Sequence, residues 1–322
     1  MKSLRFRKFG PPSVLEIEEV PRPEPRDGEA LVQVKAAAIN PSDVKNVSGF
    51  FPATTLPRIP GRDFAGLVVA GKKYQGQEVW GSGPGLGTTH DGAQAEYVVV
   101  PEEALSLKPR TLSFEQAAAI GVPFITGWCA VVEAAQLQAG ETILIIGAGG
   151  AVGQAATQIA NWKKARVLAA ALSSGPLPGA AAVINTRTED LPKRVLELTD
   201  GKGADAVFDT VGGPMFEPAL RCLRIGGRQI AITSTGERRV CFDLIDFYHN
   251  ASRLIGVDTL KLTPRDVGAI AEQLRGGFEV GALKPPPIEV VPFGDAIQAY
   301  ERIASRKTST KQVLTFPATK IP

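Results

Sequence analysis

The 322-residue sequence predicts an α/β protein, with a β-rich domain and a doubly wound parallel sheet, and three observations carry that reading. Short β-type runs punctuated by Gly and Pro fill residues 1 to about 120. From about 121 to 258 the texture changes to strand, helix, strand, and a glycine-rich turn joins the first strand of that stretch to its first helix. At roughly 100–200 residues per domain, the length suits about two domains.

The first stretch holds LEIEEV (15–20), EALVQVKAAAI (29–39), FAGLVVAG (64–71), QEVWGSG (77–83) and AEYVVVP (95–101). Short strands between turn signals describe a barrel-like domain. The second stretch runs TILIIG (142–147), a helix over 150–163, RVLAAAL (166–172), AAVIN (181–185), a helix over 188–199, ADAVFDTVG (204–212), a helix over 214–223, GRQIAI (227–232) and LIGVD (254–258). This βαβ alternation predicts a parallel sheet covered on both faces. The tail adds a helix near 264–275, a stiff connector at Pro285–Pro287, a strand at 288–293, a helix over 294–305 and a strand at 312–316. The layout that accommodates all of this is a β-domain of residues 1–120, completed by 259–322, with the α/β domain of 121–258 inserted into it.

Apolar residues make up 44% of the chain and charged residues 21%, so the chain has the means to fold throughout. Lys and Arg (36) exceed Asp and Glu (33) by 3 and are spread along the chain, which argues against nucleic acid or an anionic membrane as partner. The start, MKSLRFRKFG, has no apolar leader core, and no apolar run approaches the roughly 20 residues of a membrane span. A soluble, intracellular, cytoplasmic protein is expected. Cys129, Cys222 and Cys241 are far apart and never in C-x-x-C spacing, which suits reduced, mostly buried thiols and neither a disulfide framework nor a multi-cysteine zinc site.

The strongest chemical signal is TILIIGAGGAVGQAATQIA, residues 142–160. Glycines let a chain turn tightly and approach a pyrophosphate, while the first N–H groups and the dipole of the following helix attract the anion. Gly150 and Gly153 take the second and third fingerprint positions, Ala148 stands at the first, and Gly147 lies one residue earlier. Gly147, Gly150, Ala151, Val152 and Gly153 are therefore the candidate cofactor-binding residues. An acidic residue about 20 positions on would accept the ribose 2′-hydroxyl of NAD. None is there: RVLAAAL ends in Ser173-Ser174-Gly175, and the next acid is Glu189. Ser173, Ser174 and Arg187 could hold a 2′-phosphate, so NADPH is the expected cofactor, with NADH as the alternative. Arg187 as a plain surface charge is the competing reading of that residue.

The ordered segments KFGPPSVLEIEEVPRPEP, AAAINPSDVKNVSG, PRIPGRDFAGLVV, DGAQAEYVVVP, LSFEQAAAIGVPFITGW, GAGGAVG, GADAVFDTVGG, LRIGGRQIAI and FDLIDFYHNASRLIGVD resemble the medium-chain dehydrogenase/reductase superfamily, in its zinc-independent quinone oxidoreductase and enoyl reductase branch. The resemblance covers nearly the whole chain. It implies a GroES-like catalytic domain built from both chain ends, a Rossmann domain between them, an active site in the cleft, and a homodimer formed along the strand around LIGVD.

Where the zinc-dependent branch carries Gly-His-Glu, this chain has Gly61-Arg62-Asp63, and His90 and His249 are its only histidines. A catalytic zinc needs about three protein ligands, and no compact set is visible. The family helix carrying a phosphate-pairing lysine is replaced by SSGPLPGAAAVIN, where Pro176 and Pro178 prevent a regular helix. Thr186 stands where the family often has a phosphate-binding tyrosine.

Without a metal, hydride delivery to an electron-poor acceptor needs mainly positioning and hydrogen-bond donors, so a small hydrophobic quinone or enone is the expected substrate. The resemblance places Asn40 beside the nicotinamide ribose and the substrate, and Thr126 against the nicotinamide. It also places Lys45 as the candidate donor or electrostatic clamp, with Asp43 orienting it. The competing reading has Asp43 capping the helix after Pro41-Ser42 and Lys45 solvated on it. Tyr248, His249 and His90 are lesser donor candidates, and Phe50, Phe51, Phe124, Trp128 and Phe242 are candidates for an apolar roof. Two other functions compete: a cofactor-binding protein with little turnover, and an enoyl-thioester reductase of a biosynthetic pathway.

Overall fold

The computed structural model describes residues 1–316. The expected second part of the β-domain, 259–322, therefore ends in residues that lie outside the described ones. In chain order the elements are β1 (Lys2–Phe6), β2 (Leu15–Glu19), β3 (Glu29–Ala38), α1 (Pro41–Val47), β4 (Asp63–Ala70), β5 (Glu78–Ser82), β6 (Tyr97–Pro101), β7 (Ser106–Leu107), α2 (Phe114–Ala119) and α3 (Gly121–Trp128). There follow β8 (Thr142–Ile146), α4 (Ala151–Trp162), β9 (Arg166–Ala171), β10 (Ala182–Asn185), α5 (Leu191–Leu198), β11 (Ala204–Asp209), α6 (Phe216–Leu220), β12 (Leu223–Ala231), α7 (Leu244–His249) and β13 (Arg253–Gly256). The tail holds α8 (Pro264–Glu279), β14 (Ile288–Pro292), α9 (Ala296–Ala304) and β15 (Lys311–Thr315).

The chain divides into a unit of Met1–Ile125 with Leu260–Pro322 and a unit of Thr126–Thr259. The first division falls inside α3, where an uninterrupted helical sequence leaves no change of texture to read. In the first unit, β14-β15-β3-β4-β5-β7 form a seven-stranded sheet with β6 paired to β3. β3 is central and buried along most of its length, and its neighbours β4, β6 and β15 are all antiparallel to it. The pairings Val313↔Ala38 and Ala38↔Asp63 bring the end of β3, the start of β4 and the start of β15 to one place. One core of this unit gathers Val32, Val34, Phe64, Val68 and Val98, and a second gathers Phe6, Ile39, Val47, Phe293 and Tyr300.

The second unit is a six-stranded sheet of order β10-β9-β8-β11-β12-β13, parallel throughout. Strands such as Ile143–Ile146 and Ala206–Phe208 are continuous apolar runs because both of their faces are covered. The order reverses direction at β8, with β9 and β10 on one side of it and β11, β12 and β13 on the other. No helix forms between β9 and β10, where Pro176 and Pro178 lie. α5 starts later than the sequence suggests because Asp190 caps it, accepting from the Lys193 N–H at 2.9 Å. α6 is shorter, since Gly213–Met215 form a 3-10 turn and β12 already begins at Leu223. α7 was not anticipated; Asp243 caps it, accepting from the N–H groups of Ile245 and Asp246. Among the described residues no helix is long and apolar enough to cross a membrane.

Candidate active site

In the second unit, β8 delivers the chain to Gly147, whose φ of +77° belongs to the left-handed region that side chains avoid. A Cβ on Gly147 would lie 2.3 Å from the Thr210 hydroxyl, which itself donates to the Ile146 carbonyl at 2.7 Å. On the other side the N–H groups of Gly147 and Ala148 both donate to the Ala170 carbonyl, at 2.9 and 3.1 Å. The turn is thus pinned between β9 and β11. A Cβ on Gly153 would lie 2.5 Å from the Gly147 carbonyl oxygen and 2.7 Å from the Ala148 Cα, so the first turn of α4 rides directly on the turn backbone.

The off-frame fingerprint resolves on that geometry. Gly147 makes the tight turn, Gly153 permits the close approach, and Ala148 is buried between them. Gly150 caps α4 from an exposed position, and Ala151, Val152 and Gly153 begin a helix of 12 residues. Their N–H groups have no intrahelical acceptor, and the positive end of the dipole lies with them. Such a helix start, at the point where the strand order reverses, could hold a pyrophosphate.

Beside it, the ends of β9 and β10 run in parallel register, Ala171 against Asn185. Asn185 donates from Nδ2 to Ser174 Oγ at 3.1 Å and accepts the Arg187 N–H on Oδ1 at 3.0 Å. It thereby brings together two of the three residues expected to meet a 2′-phosphate. Ser173 and the Arg187 side chain are exposed. Glu189, the next acid along the chain, accepts the Asn185 N–H at 2.6 Å and lies 3.5 Å from Arg194 Nε. Asn185 is not among the residues expected at the site, although an asparagine ending the third strand is a legible signal. Nor is Asp209, a fully buried carboxylate at the end of β11. Asp209 Oδ1 accepts the N–H groups of Val211 and Gly212, both at 2.9 Å, and burial pushes its carboxyl above the usual range.

Of the other expected residues, Thr126 is buried in α3. Tyr248 stands exposed on α7, and His90 is an exposed loop residue 3.0 Å from the Thr89 hydroxyl. Of the expected apolar roof, Phe124 and Trp128 are buried in the core, Phe124 packing edge-on against Phe278 at 4.8 Å, while Phe242 is half-buried between Phe216 and Phe247. Phe50, by contrast, is exposed.

In the first unit, Asn40 opens α1, and its N–H donates to Asp43 Oδ2 at 2.8 Å. Asp43 is buried and turned toward this cap, while Lys45 lies on the exposed side of α1. The expectation that Asp43 orients Lys45 is thereby corrected: the carboxylate satisfies the helix start instead. The Asn40 side chain donates from Nδ2 to Asp63 Oδ2 at 2.9 Å and accepts from Lys311 Nζ. Both Asp63 oxygens accept the Val122 N–H in the first turn of α3, at 2.9 Å. Lys311, buried 3.9 Å from Asp63, was absent from the sequence-derived site. Burial lowers its ammonium pKa, against the pull of Asp63 and Asp43. Burial raises the Asp43 carboxyl to about 6, with the Asn40 N–H working against it and the Asp63 charge adding to it.

These residues do not fit a zinc ion. Arg62 and Lys311 bring cations to Asp43 and Asp63, and the Asp63 carboxylate is spent on Asn40 and Val122. Among the described residues no three His, Cys, Asp or Glu side chains gather.

A family model described as zinc-binding dehydrogenase matches residues 151–273, and one described as alcohol dehydrogenase GroES-like domain matches 26–110. The chain is 38% identical to a zinc-type alcohol dehydrogenase-like protein of Schizosaccharomyces pombe, over 98% of this chain and 97% of that one. It is 32% identical to the quinone oxidoreductase of Sus scrofa, with the same coverage. Among solved structures, an NAD-dependent alcohol dehydrogenase superposes with a TM-score of 0.87 at 32% identity, covering 98% of this chain and 99% of that one. The JamJ enoyl reductase in its apo form superposes with a TM-score of 0.83 at 25% identity and the same coverage.

Gly153→Val forces α4 off the turn and abolishes saturable NADPH binding in a fluorescence titration, whereas Gly149→Ala, where a Cβ meets nothing within 4 Å, binds as the parent does. Asp43 holds its proton more tightly folded (about 6) than unfolded (3.8), so the folded state loses stability as pH rises between those values. Asp43→Asn removes that loss. The difference in Tm between Asp43→Asn and the parent therefore moves in the variant's favour from pH 4 to pH 7, and a flat difference contradicts the assignment.

Proposed function

The chain belongs to the medium-chain dehydrogenase/reductase superfamily, in its quinone oxidoreductase-like branch, and we propose that this oxidoreductase is a zinc-independent, NADPH-dependent reductase of quinones or of α,β-unsaturated carbonyls. The observation that carries the reading is the donor set around Asp63. A carboxylate already holding a carboxamide and a helix N–H, with cations beside it, is no ligand for a Lewis acid. Oxidation of an unactivated alcohol then lacks a group to stabilise the alkoxide, and reduction of an electron-poor acceptor is the chemistry left to positioned donors.

NADPH, when bound, supplies the hydride to the quinone or to the β-carbon of the enone. Gly147, Gly150, Ala151, Val152 and Gly153 hold its pyrophosphate through backbone approach and N–H groups. Ser173, Ser174 and Arg187 hold the 2′-phosphate, with Asn185 tying Ser174 to the Arg187 backbone and Glu189 turned onto the Asn185 N–H. NADH is the alternative, since the segment that holds Pro176 and Pro178 replaces the helix that carries a phosphate-pairing lysine in the family. Asn40 and Thr126 meet the nicotinamide end. Lys45 supplies the proton or stabilises the developing oxyanion from the exposed side of α1, without help from Asp43. The likeness to an enoyl reductase supports a thioester enone as a second acceptor class.

A homodimer is supported by β13, an edge strand beside which Ile225 and Leu254 are exposed. A soluble protein of the cytoplasm fits its even charge.

The test is the loss of near-UV absorbance of NADPH with para-quinones, short enones and enoyl thioesters, repeated with NADH. Turnover of one class with NADPH preferred is expected; NADPH binding without turnover on any class favours a binding protein. With the active class, Lys45→Ala lowers kcat by about tenfold or more and leaves NADPH affinity nearly intact. An unchanged kcat removes Lys45 from the mechanism.

A further inference from the structure

Three side chains remote in sequence meet at the strand ends of the seven-stranded sheet: Asn40 just past β3, Asp63 opening β4 and Lys311 opening β15. All three are buried. Lys311 Nζ donates to Asn40 Oδ1, Asn40 Nδ2 donates to Asp63 Oδ2 at 2.9 Å, and Nζ lies 3.9 Å from Asp63 Oδ2. An ammonium can only donate and a carboxylate can only accept. The Asn40 carboxamide is therefore restricted to one of its two orientations: turned over, it would face NH₂ with NH₃⁺ and oxygen with carboxylate, away from water. Asp63 cannot swing aside to relieve such a contact, because both its oxygens are held by the Val122 N–H.

Stability alone accounts poorly for this arrangement. Burying an ammonium costs several kcal/mol, and an apolar side chain of similar volume often serves the fold as well or better. What the charge adds is orientation. With Oδ1 facing Lys311 and the N–H of Asp43 in the capping box, and one Nδ2 hydrogen given to Asp63, the second Nδ2 hydrogen of Asn40 is left for another acceptor, always at the same atom.

We propose that Lys311 is a positioning residue that acts through Asn40, holding its carboxamide so that the second Nδ2 hydrogen is offered to a hydroxyl or carbonyl oxygen of the bound cofactor or acceptor. The inference rests on the reading of Asn40 as a residue that meets them. Lys311 touches neither, and its charge is felt only through the amide it holds.

The test uses the full chain. The side-chain NH₂ pair of Asn40 is located in the ¹⁵N spectrum by its disappearance in Asn40→Ala. In the parent this pair resists hydrogen exchange and shifts when NADPH is added. In Lys311→Met it exchanges about tenfold faster or more, and its response to NADPH is lost. The charge-balanced Lys311→Met/Asp63→Asn removes the cation together with the carboxylate it faces, and it shows the same loss if the first variant folds poorly. With NADPH and 1,4-benzoquinone, Lys311→Met lowers kcat by about tenfold or more while the Kd for NADPH stays within about threefold, and in an Asn40→Ala background it has no further effect.

Unchanged amide signals in Lys311→Met, or kcat losses that multiply in the double variant, overturn the proposal. An Asn40→Ala protein that binds NADPH and turns over as the parent does overturns the reading of Asn40, and the proposal with it. An impaired Asn40→Ala with an uncoupled Lys311→Met overturns the proposal alone.

Discussion

Burial of the Asp63 carboxylate constrains the first unit more than its position in a strand suggests. A charge with no exposure is tolerated only when hydrogen bonds and counter-charge replace its water. Asp63 obtains the first from the Val122 N–H and the Asn40 amide and the second from Lys311. Each of these partners then fixes something else. The Val122 contact sets the start of α3 and leaves room only for glycine at 121, where a Cβ would fall 2.4 Å from Asp63 Oδ1. The Asn40 contact orients the residue that opens α1. The Lys311 contact requires β15 to pair with β3 in the register that is observed. Helix starts, strand register and a candidate catalytic amide are consequences of one desolvated charge.

The second unit solves a different problem, which is to bring backbone close to an anion. It does so by subtraction. Gly147 has no side chain to strike Thr210, and Gly153 has none to lift α4 away from the turn. The carboxylate that would exclude a 2′-phosphate is absent from the end of β9. Where no helix forms between β9 and β10, Asn185 links the segment after β9 to the segment after β10 with two hydrogen bonds. A site of this kind selects by what it permits, whereas the cluster around Asp63 selects by what it holds.

Most of the fold was legible because the residues that make it are local. Apolar runs of five or six residues between turn signals marked the parallel strands, and the proline pair at 176 and 178 marked the absent helix. The glycine turn was legible for the same reason, although its frame was not, since the role of Gly147 depends on Thr210 sixty-three residues later. Lys311 was illegible. Nothing near position 311 distinguishes that lysine from its neighbours, and only the pairing of β15 with β3 carries it to Asn40. Asp43 and Lys45 were found as a pair because they are close in sequence, and the structure separates them because a buried helix cap and an exposed helix face are different environments.

The central claim is that this chain moves a hydride from a bound nicotinamide to an electron-poor acceptor. The most direct measurement is the single-turnover oxidation of protein-bound NADPH carrying deuterium at both C4 positions, compared with unlabelled NADPH and mixed with the same acceptor. The account predicts that oxidation occurs and that the deuterated cofactor reacts more slowly, because the C4–H bond breaks in the step observed. Bound NADPH that no acceptor oxidises, or equal rates for the two cofactors in a step shown to be chemistry, would contradict it.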